Sequence, residues 1–229
     1  MVREEPRSLA SSDFARRRRR RVELGVSLLV FGALVMTALA GYQPIDAYAD
    51  TDLIFHMNVQ HPALVVAGGI VAYAVESLLV ASSAFSPLGR SFSRLLNRIL
   101  LKYGLALVGL AGAILVFWHL PSFFDLASRD EGAHIVEHIC FVSAGIMVVT
   151  GSKNLGPSIR LYLFFLLSLG MMVFGGYMVF DTGTIYASYP GDQQIPTGAG
   201  MLAEMASMSI VLGAYRLNKF LVTMERRGL

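Results

Sequence analysis

Six apolar stretches separated by short polar stretches dominate the hydropathy pattern of the chain. They cover residues 24–41, 62–83, 101–119, 134–150, 160–180 and 199–220. Each is close to the roughly 20 apolar residues that a helix needs to cross the hydrocarbon core of a bilayer. The pattern therefore predicts an all-α fold, a polytopic membrane bundle of about six transmembrane helices.

Composition supports this prediction and limits the number of domains. Hydrophobic residues make up 55% of the chain and charged residues 15%, and the mean hydropathy is +0.57. These values exclude an ordinary soluble globular domain. Since no polar stretch is long enough to fold separately, we expect a basic cytoplasmic segment over residues 1–22 and a single transmembrane helical domain over residues 23–229.

The distribution of Lys and Arg predicts the orientation in the membrane. Six consecutive arginines, Arg16 to Arg21, precede the first span. Lys and Arg are enriched in cytoplasmic loops, and with the amino terminus inside, only Arg129 falls on the outer side. We expect a multi-pass plasma membrane protein with both termini cytoplasmic. An arginine run can also bind nucleic acid, but the adjacent apolar span favours a membrane anchor and no nucleic-acid partner.

The first apolar stretch has a second interpretation. Arginines precede it, and Ala38-Leu39-Ala40 resembles the small-residue cleavage site of a signal peptide. Its length suffices for a membrane crossing, so we expect a retained first helix.

All five histidines fall at the same level of this topology. His56 and His61 lie at the outer start of the second helix, His119 ends the third, and His134 and His138 lie in the first turns of the fourth. Residues four apart share one face of a helix, so the last two imidazoles can bind one metal ion. The sequence predicts a metal-binding histidine cluster facing outside.

Further residues are candidate ligands at the same level. Glu137 lies inside the histidine pair, and Glu204, Met201 and Met205 lie in the outer half of the last helix. Thioether sulfur suits Cu(I), which favours copper over zinc. A methionine stripe that only packs is the alternative interpretation.

Two other features suggest different chemistry. The sequence His134-x-x-Glu137-His138 matches a zinc metalloprotease pattern in which the glutamate is the general base, but its position at the start of a membrane span disfavours a protease. Glu76 lies deeper in the second span. An ionisable group there is costly, so we interpret Glu76 as a bundle contact or a proton relay.

Three motifs in order carry a family resemblance. They are His56-Met57-x-x-Gln60-His61, then Trp118-His119-x-Pro121 followed by Asp125, then His134-x-x-Glu137-His138-x-x-Phe141-x-x-x-Gly145. Together they resemble the CtaG-type cytochrome c oxidase assembly factors and related archaeal polytopic membrane proteins. The likeness covers roughly residues 54–205, through Leu161-Tyr162, Met171-Met172, Gly175 and Tyr186.

The resemblance implies a function. Members of that family are implicated in maturing the copper centre of caa-type haem-copper oxidases, and the five histidines here are the motif histidines. We therefore expect an assembly factor or accessory subunit, without catalytic turnover, that binds copper rather than haem or zinc. Its expected partners are the lipid bilayer and a membrane copper oxidase or another respiratory subunit.

Two other function classes stay open at this point. One is a membrane redox enzyme or oxidase-complex subunit whose histidines ligate haem or a non-haem metal. The other is a permease or purely structural subunit, for which Glu76 is the only deep charged residue on offer.

Overall fold

A computed structural model gives the fold, and it describes residues 7–40, 42–83, 87–153, 155–181 and 183–226. Within these ranges all regular structure is helical. The elements are α1 (Arg7–Ala40), α2 (Gln43–Ala49), α3 (Leu53–Phe55), a π-helical segment (His56–Gln60), α4 (His61–Ser83), α5 (Pro87–His119), α6 (Pro121–Ala127), α7 (Glu131–Ser152), α8 (Pro157–Phe180), a 3₁₀ turn (Gly191–Gln193) and α9 (Gln194–Arg226).

The prediction of an all-α membrane bundle with six spans is confirmed. The helical segments long and apolar enough to cross a bilayer are Arg19–Ala40, Leu53–Val80, Lys102–His119, Glu131–Ser152, Pro157–Phe180 and Gly191–Met224. The chain is thus a multi-pass membrane protein. Residue 41, where the first span was predicted to end, and residues 1–6 of the basic segment lie outside the described residues.

The second span begins earlier than the sequence predicted. The predicted start was Pro62, because proline is favoured in the first turn of a helix. The chain is already helical from Leu53, where Asp52 caps the turn by accepting a hydrogen bond from the backbone N–H of Phe55 at 2.9 Å. Pro62 has no N–H to donate and its ring crowds the carbonyl of the preceding turn. The wider π-helical segment immediately before it accommodates both effects.

Helix α4 is central to the bundle and packs against α1 on one side and α7 on the other. Two glycines allow the close crossing with α7. A Cβ on Gly68 would clash with the carbonyl oxygen of Val142, and one on Gly145 would clash with the carbonyl oxygen of Val65. Helix α7 also packs against α5, while α8 pairs mainly with α9. The backbone of α7 therefore lies directly against the helix that carries His61.

Short helices and loops close one end of the bundle, which we call the histidine end. The loop before α9 is tied to this end at several points. The carboxylate of Asp125 in α6 accepts hydrogen bonds from the backbone N–H groups of Ala187 and Ser188, at 3.1 and 3.0 Å. The hydroxyl of Tyr186 donates to the carbonyl oxygen of His119 at 2.8 Å. An apolar cluster lies beneath, formed by Leu53, Met57, Phe124, Met178, Tyr186, Tyr189 and Met201.

The opposite end carries an ion pair that gives Glu76 a partner. The ammonium of Lys153, at the end of α7, contacts the carboxylate of Glu76 in α4. Each side chain is about one-third exposed, at 33% and 34%. The pair joins two neighbouring helices far from the histidines, which is a bundle contact.

Candidate metal centre

The structure brings all five histidines into one continuous cluster at the histidine end. Ring centroids lie 4.4 Å apart for His56 and His61, and 4.3 Å apart for His134 and His138. The two pairs meet where His56 lies 5.7 Å from His134. His119 joins through His61, at 5.6 Å. All five side chains are buried. The histidines that were predicted to lie at one level of the membrane therefore form one cluster in the fold.

The π-helical segment brings His56 and His61 together. On a regular α-helix, residues five apart point in different directions, since 3.6 residues make a turn. A π-helix has i→i+5 hydrogen bonds, and here the backbone N–H of His61 donates to the carbonyl oxygen of His56. The wider turn places both imidazoles on one face. Segments of this kind are frequent at functional sites.

Glu137 completes a buried group with these two histidines, which we call the inner group: His56, His61 and Glu137. One oxygen of Glu137 lies 3.9 Å from Nε2 of His56, and the other lies 3.6 Å from Nε2 of His61. The donor atoms of the three residues all fall within 4.8 Å of one another. The Glu137 side chain has no solvent exposure. Two imidazoles and one carboxylate form a common protein ligand set for zinc, iron or copper.

A second group lies nearer the surface, and we call it the mouth group: Asp46, His134 and His138. Its donor atoms also lie within 4.8 Å of one another. Asp46, from α2, places Oδ1 3.0 Å from Nε2 of His134, and Asp50 places Oδ1 3.7 Å from Nδ1 of the same ring. Burial raises the pKa of Asp50, an effect that His134 opposes.

Unpaired donor atoms point to a cation at this cluster. Among the residues that the structure describes, several buried atoms here have no hydrogen-bond partner: Nε2 of His56, both ring nitrogens of His61, Nε2 of His119, Nε2 of His138 and both carboxylate oxygens of Glu137. Buried polar atoms without a partner are costly, and native proteins contain few. A metal ion satisfies several lone pairs together where the donor atoms converge, as those of His56, His61 and Glu137 do within 4.8 Å of one another, so these residues fit such an ion.

Hydrogen bonds at Nδ1 determine which ring nitrogen carries the lone pair in His119 and in His56. Nδ1 of His119 lies 2.6 Å from the carbonyl oxygen of Leu115. A carbonyl only accepts, so Nδ1 carries the proton and Nε2 is free to bind a metal. Nδ1 of His56 lies 2.7 Å from the hydroxyl of Tyr189, which also reaches the carbonyl oxygen of Ala49 at 3.2 Å. All three groups are satisfied if His56 donates to the hydroxyl and the hydroxyl donates to the carbonyl, leaving Nε2 bare.

Comparison with known proteins places the chain in a family. The family model of the cytochrome c oxidase caa3 assembly factor (Caa3_CtaG) matches residues 13–217, most of the chain. The chain belongs to this family. The resemblance found in the three histidine motifs is thereby confirmed, and membership supports a role in cytochrome c oxidase assembly. We found no match among curated proteins and none among solved structures.

The remaining predicted site residues of this CtaG-family protein lie outside the two groups. Met201 is buried in the apolar cluster that also contains Met57. Glu204 and Met205 lie half-buried on α9, and Glu204 is in neither group. The structure thus assembles the five histidines and Glu137, and it places Met201 in packing contacts.

Sequence reasoning missed two carboxylates that lie beside the histidine cluster. Asp46 and Asp50 were not among the predicted ligands. Their spacing carried a signal, because they are four residues apart in a short helical turn, as His134 and His138 are. Two facing i,i+4 pairs of complementary ligand types indicate a shared site. Nothing in the sequence, however, indicated that α2 would fold over α7.

The fold also divides the protease-like motif between the two groups. Glu137 faces His56 and His61, whereas His134 and His138 face Asp46. In the metalloprotease pattern, the two histidines hold the metal while the glutamate activates water beside it. Here the glutamate belongs with other histidines. The motif therefore contributes residues to two adjacent groups of candidate metal ligands.

Proposed function

We propose that this CtaG-family protein holds a copper ion with its inner group and supplies it to, or stabilises, a respiratory copper enzyme such as a haem-copper oxidase. One observation carries this proposal: buried polar atoms of His56, His61 and Glu137 lie together without hydrogen-bond partners among the described residues, and the chain belongs to a family of oxidase assembly factors. When bound, copper is the cargo. The protein's own groups bind it, orient it and exclude water from it.

The ligand chemistry supports copper in its divalent form. The inner group offers nitrogen and oxygen donors, and such sites bind Cu²⁺ more tightly than the other divalent first-row metals. The buried methionines belong to the apolar cluster, which also contains aromatic and aliphatic side chains. His119, whose ring lies 5.6 Å from that of His61 and whose Nε2 is unpaired, supplies a further nitrogen ligand.

Charge distribution supports an outward-facing site. Basic residues at the end of the bundle opposite the histidines include Arg19, Lys153, Arg160, Arg216 and Lys219. Acidic residues gather at the histidine end, where they include Asp46, Asp50, Asp52, Asp125, Asp130 and Glu131. Because Lys and Arg are enriched on the cytoplasmic side, the histidine end faces the outside of the plasma membrane and both termini face the cytoplasm.

Copper binding by the purified protein in detergent tests this function. We expect Glu137→Gln to weaken binding of cupric ion by more than about 100-fold, because it removes a ligand rather than a supporting contact, for which losses are about 10- to 100-fold. Glu204→Gln is the matched control. It makes the same chemical change on α9, outside both groups, and we expect wild-type affinity.

Equal affinity of the wild type and Glu137→Gln would refute the inner group as the copper site. In cells, we expect Glu137→Gln to leave oxidase polypeptide in the membrane but lower the copper content and activity of the oxidase. Full oxidase activity in those cells would show that oxidase assembly does not depend on this site.

One observation favours a second candidate function. Two histidines and one carboxylate also form the ligand set of non-haem Fe(II) oxygenases, and the inner group has this composition. A membrane redox enzyme holding iron is therefore the alternative. Bound haem is disfavoured, since a porphyrin separates its two axial imidazoles, whereas these rings touch edge to face. Metal analysis of protein purified without added metal separates iron from copper.

A further inference from the structure

We propose that the mouth group is a second metal position, through which a single copper ion passes to reach the inner group. This inference rests on the proposed function, because it assumes that the inner group binds the ion. It adds a site formed by Asp46, His134 and His138, with Asp50 beside it. It also gives the cluster a direction, from solvent to the buried ligands.

Exposure to solvent separates the two groups. The side chains of Asp46 and Asp50 are 30% and 43% exposed, whereas those of His56, His61 and Glu137 are at most 2% exposed. A hydrated ion meets carboxylates first, and each water it loses there is replaced by a carboxylate oxygen or an imidazole nitrogen. The inner group has no comparable contact with water, so an ion reaches it from neighbouring protein ligands.

The mouth group has the features of a built site. Nε2 of His138 is buried and without a hydrogen-bond partner among the described residues, and its residue is 4% exposed. Asp46 is held in place from below, since the side-chain amide of Gln60 donates to its Oδ1 at 3.1 Å and to the carbonyl oxygen of Leu39 at 2.7 Å. An oriented carboxylate and an unpaired imidazole nitrogen are ready to bind a cation together.

Ligand exchange can carry the ion from one group to the other. The rings of His134 and His56 lie 5.7 Å apart, and His138 directly follows Glu137 on α7. Gln60, which orients Asp46, immediately precedes His61 at the end of the π-helical segment. An ion that leaves the mouth ligands thus meets inner ligands without returning to water.

Electrostatics makes the two positions alternatives for one ion. Repulsion between two divalent ions is four times that between two single charges at the same distance, and the buried setting screens it poorly. Few carboxylates lie near enough to offset it: Glu137 in the inner group, with Asp46 and Asp50 at the mouth. We therefore expect one copper ion per chain, resting on the inner group.

The decisive experiment follows the binding of cupric ion by stopped-flow absorbance on the full-length protein in detergent. We expect Asp46→Asn to load at least about 10-fold more slowly than the wild type and to reach the same final visible and EPR spectra. The matched control is Asp192→Asn, which removes an exposed carboxylate at the same end but outside the mouth group. Its loading rate should equal that of the wild type.

A second variant traps the ion at the mouth. His61→Gln removes an inner ligand, so the ion should stay on the mouth group, give a different EPR spectrum and be removed by an added chelator at least about 10-fold faster than from the wild type. Wild-type loading by Asp46→Asn, or no copper on a folded His61→Gln protein, would overturn the inference while the proposed function stands. Absence of copper binding by the wild type would overturn both.

Discussion

The hydroxyl of Tyr189 lies outside the inner and mouth groups but contacts one candidate ligand, His56. It bridges Nδ1 of His56 and the carbonyl oxygen of Ala49. Burial raises the pKa of Tyr189 well above its usual range, and the nearby Asp50 and Glu137 add to the effect. The phenol therefore keeps its proton and donates a hydrogen bond to the carbonyl oxygen of Ala49. That arrangement leaves the lone pair of His56 on Nε2, the atom that the proposed function needs as a ligand.

Substitution of this tyrosine tests the tautomer argument. We expect Tyr189→Phe to lower the affinity for cupric ion by about 10- to 100-fold, the usual effect of losing a contact that orients a histidine ligand. The EPR hyperfine splitting of bound copper should also change, which a loss of packing alone would not produce. Tyr215→Phe, at an exposed position on α9, is the control and should leave both unchanged. An unchanged spectrum for Tyr189→Phe would refute this role.

At the residue scale, the sequence predicted which histidines lie close together, but it did not predict how they are grouped. Histidine is rare in this chain and strongly tied to metals, so all five positions could be named in advance. The partition into His56 with His61 and Glu137, and His134 with Asp46, depends on the π turn and on α2. Neither the width of a helical turn nor the docking of a seven-residue helix follows from hydropathy.

At the scale of elements, the crossing of α4 and α7 determines whether the inner group can form. Helix α4 continues from His61, and α7 carries Glu137. Their backbones meet where Gly68 and Gly145 leave no room for a side chain. In membranes, small residues allow such close approach and packing rather than hydrophobicity drives association. The separation of the two helices at this crossing therefore affects the distance between the carboxylate of Glu137 and the imidazoles of His56 and His61.

Adding one methyl group tests that link. We expect Gly145→Ala to destabilise the protein by at least about 1–3 kcal/mol, as overpacking does, since the added Cβ would meet the backbone oxygen of Val65. Copper affinity should fall as well, because the helices separate. The control is Gly109→Ala on α5, where a Cβ meets nothing within 4 Å. Both variants are compared by unfolding in detergent and by copper titration. Equal stability and equal copper affinity of the two variants would contradict the argument.

Helix starts show where sequence reasoning lost accuracy at this scale. Six spans followed from runs of apolar residues, since hydrocarbon thickness fixes their length. The start of the second span did not, because proline is typical of a first helical turn and His56–Gln60 has no apolar pattern of its own. The capping carboxylate of Asp52, which accepts hydrogen bonds from the backbone N–H of Phe55 and the hydroxyl of Tyr48, marks the real beginning.

At the scale of the whole molecule, function depends on which side of the membrane the histidine end faces. A basic end opposite the histidines is what the positive-inside rule predicts if the histidine end faces outward. The last span offers a direct test, because exposed residues mark both of its ends: Asp192 at the histidine end and Lys219 at the other. The same helix then reports both sides of the bilayer.

Labelling of single cysteines in intact cells measures this orientation. In a Cys140→Ser background, which removes the only native cysteine, we expect a membrane-impermeant maleimide to label Asp192→Cys. It should leave Lys219→Cys unlabelled until the cells are permeabilised. The background protein alone should stay unlabelled under both conditions. Labelling of Lys219→Cys in intact cells, with Asp192→Cys protected, would put the mouth group in the cytoplasm, and copper would then have to reach it from inside.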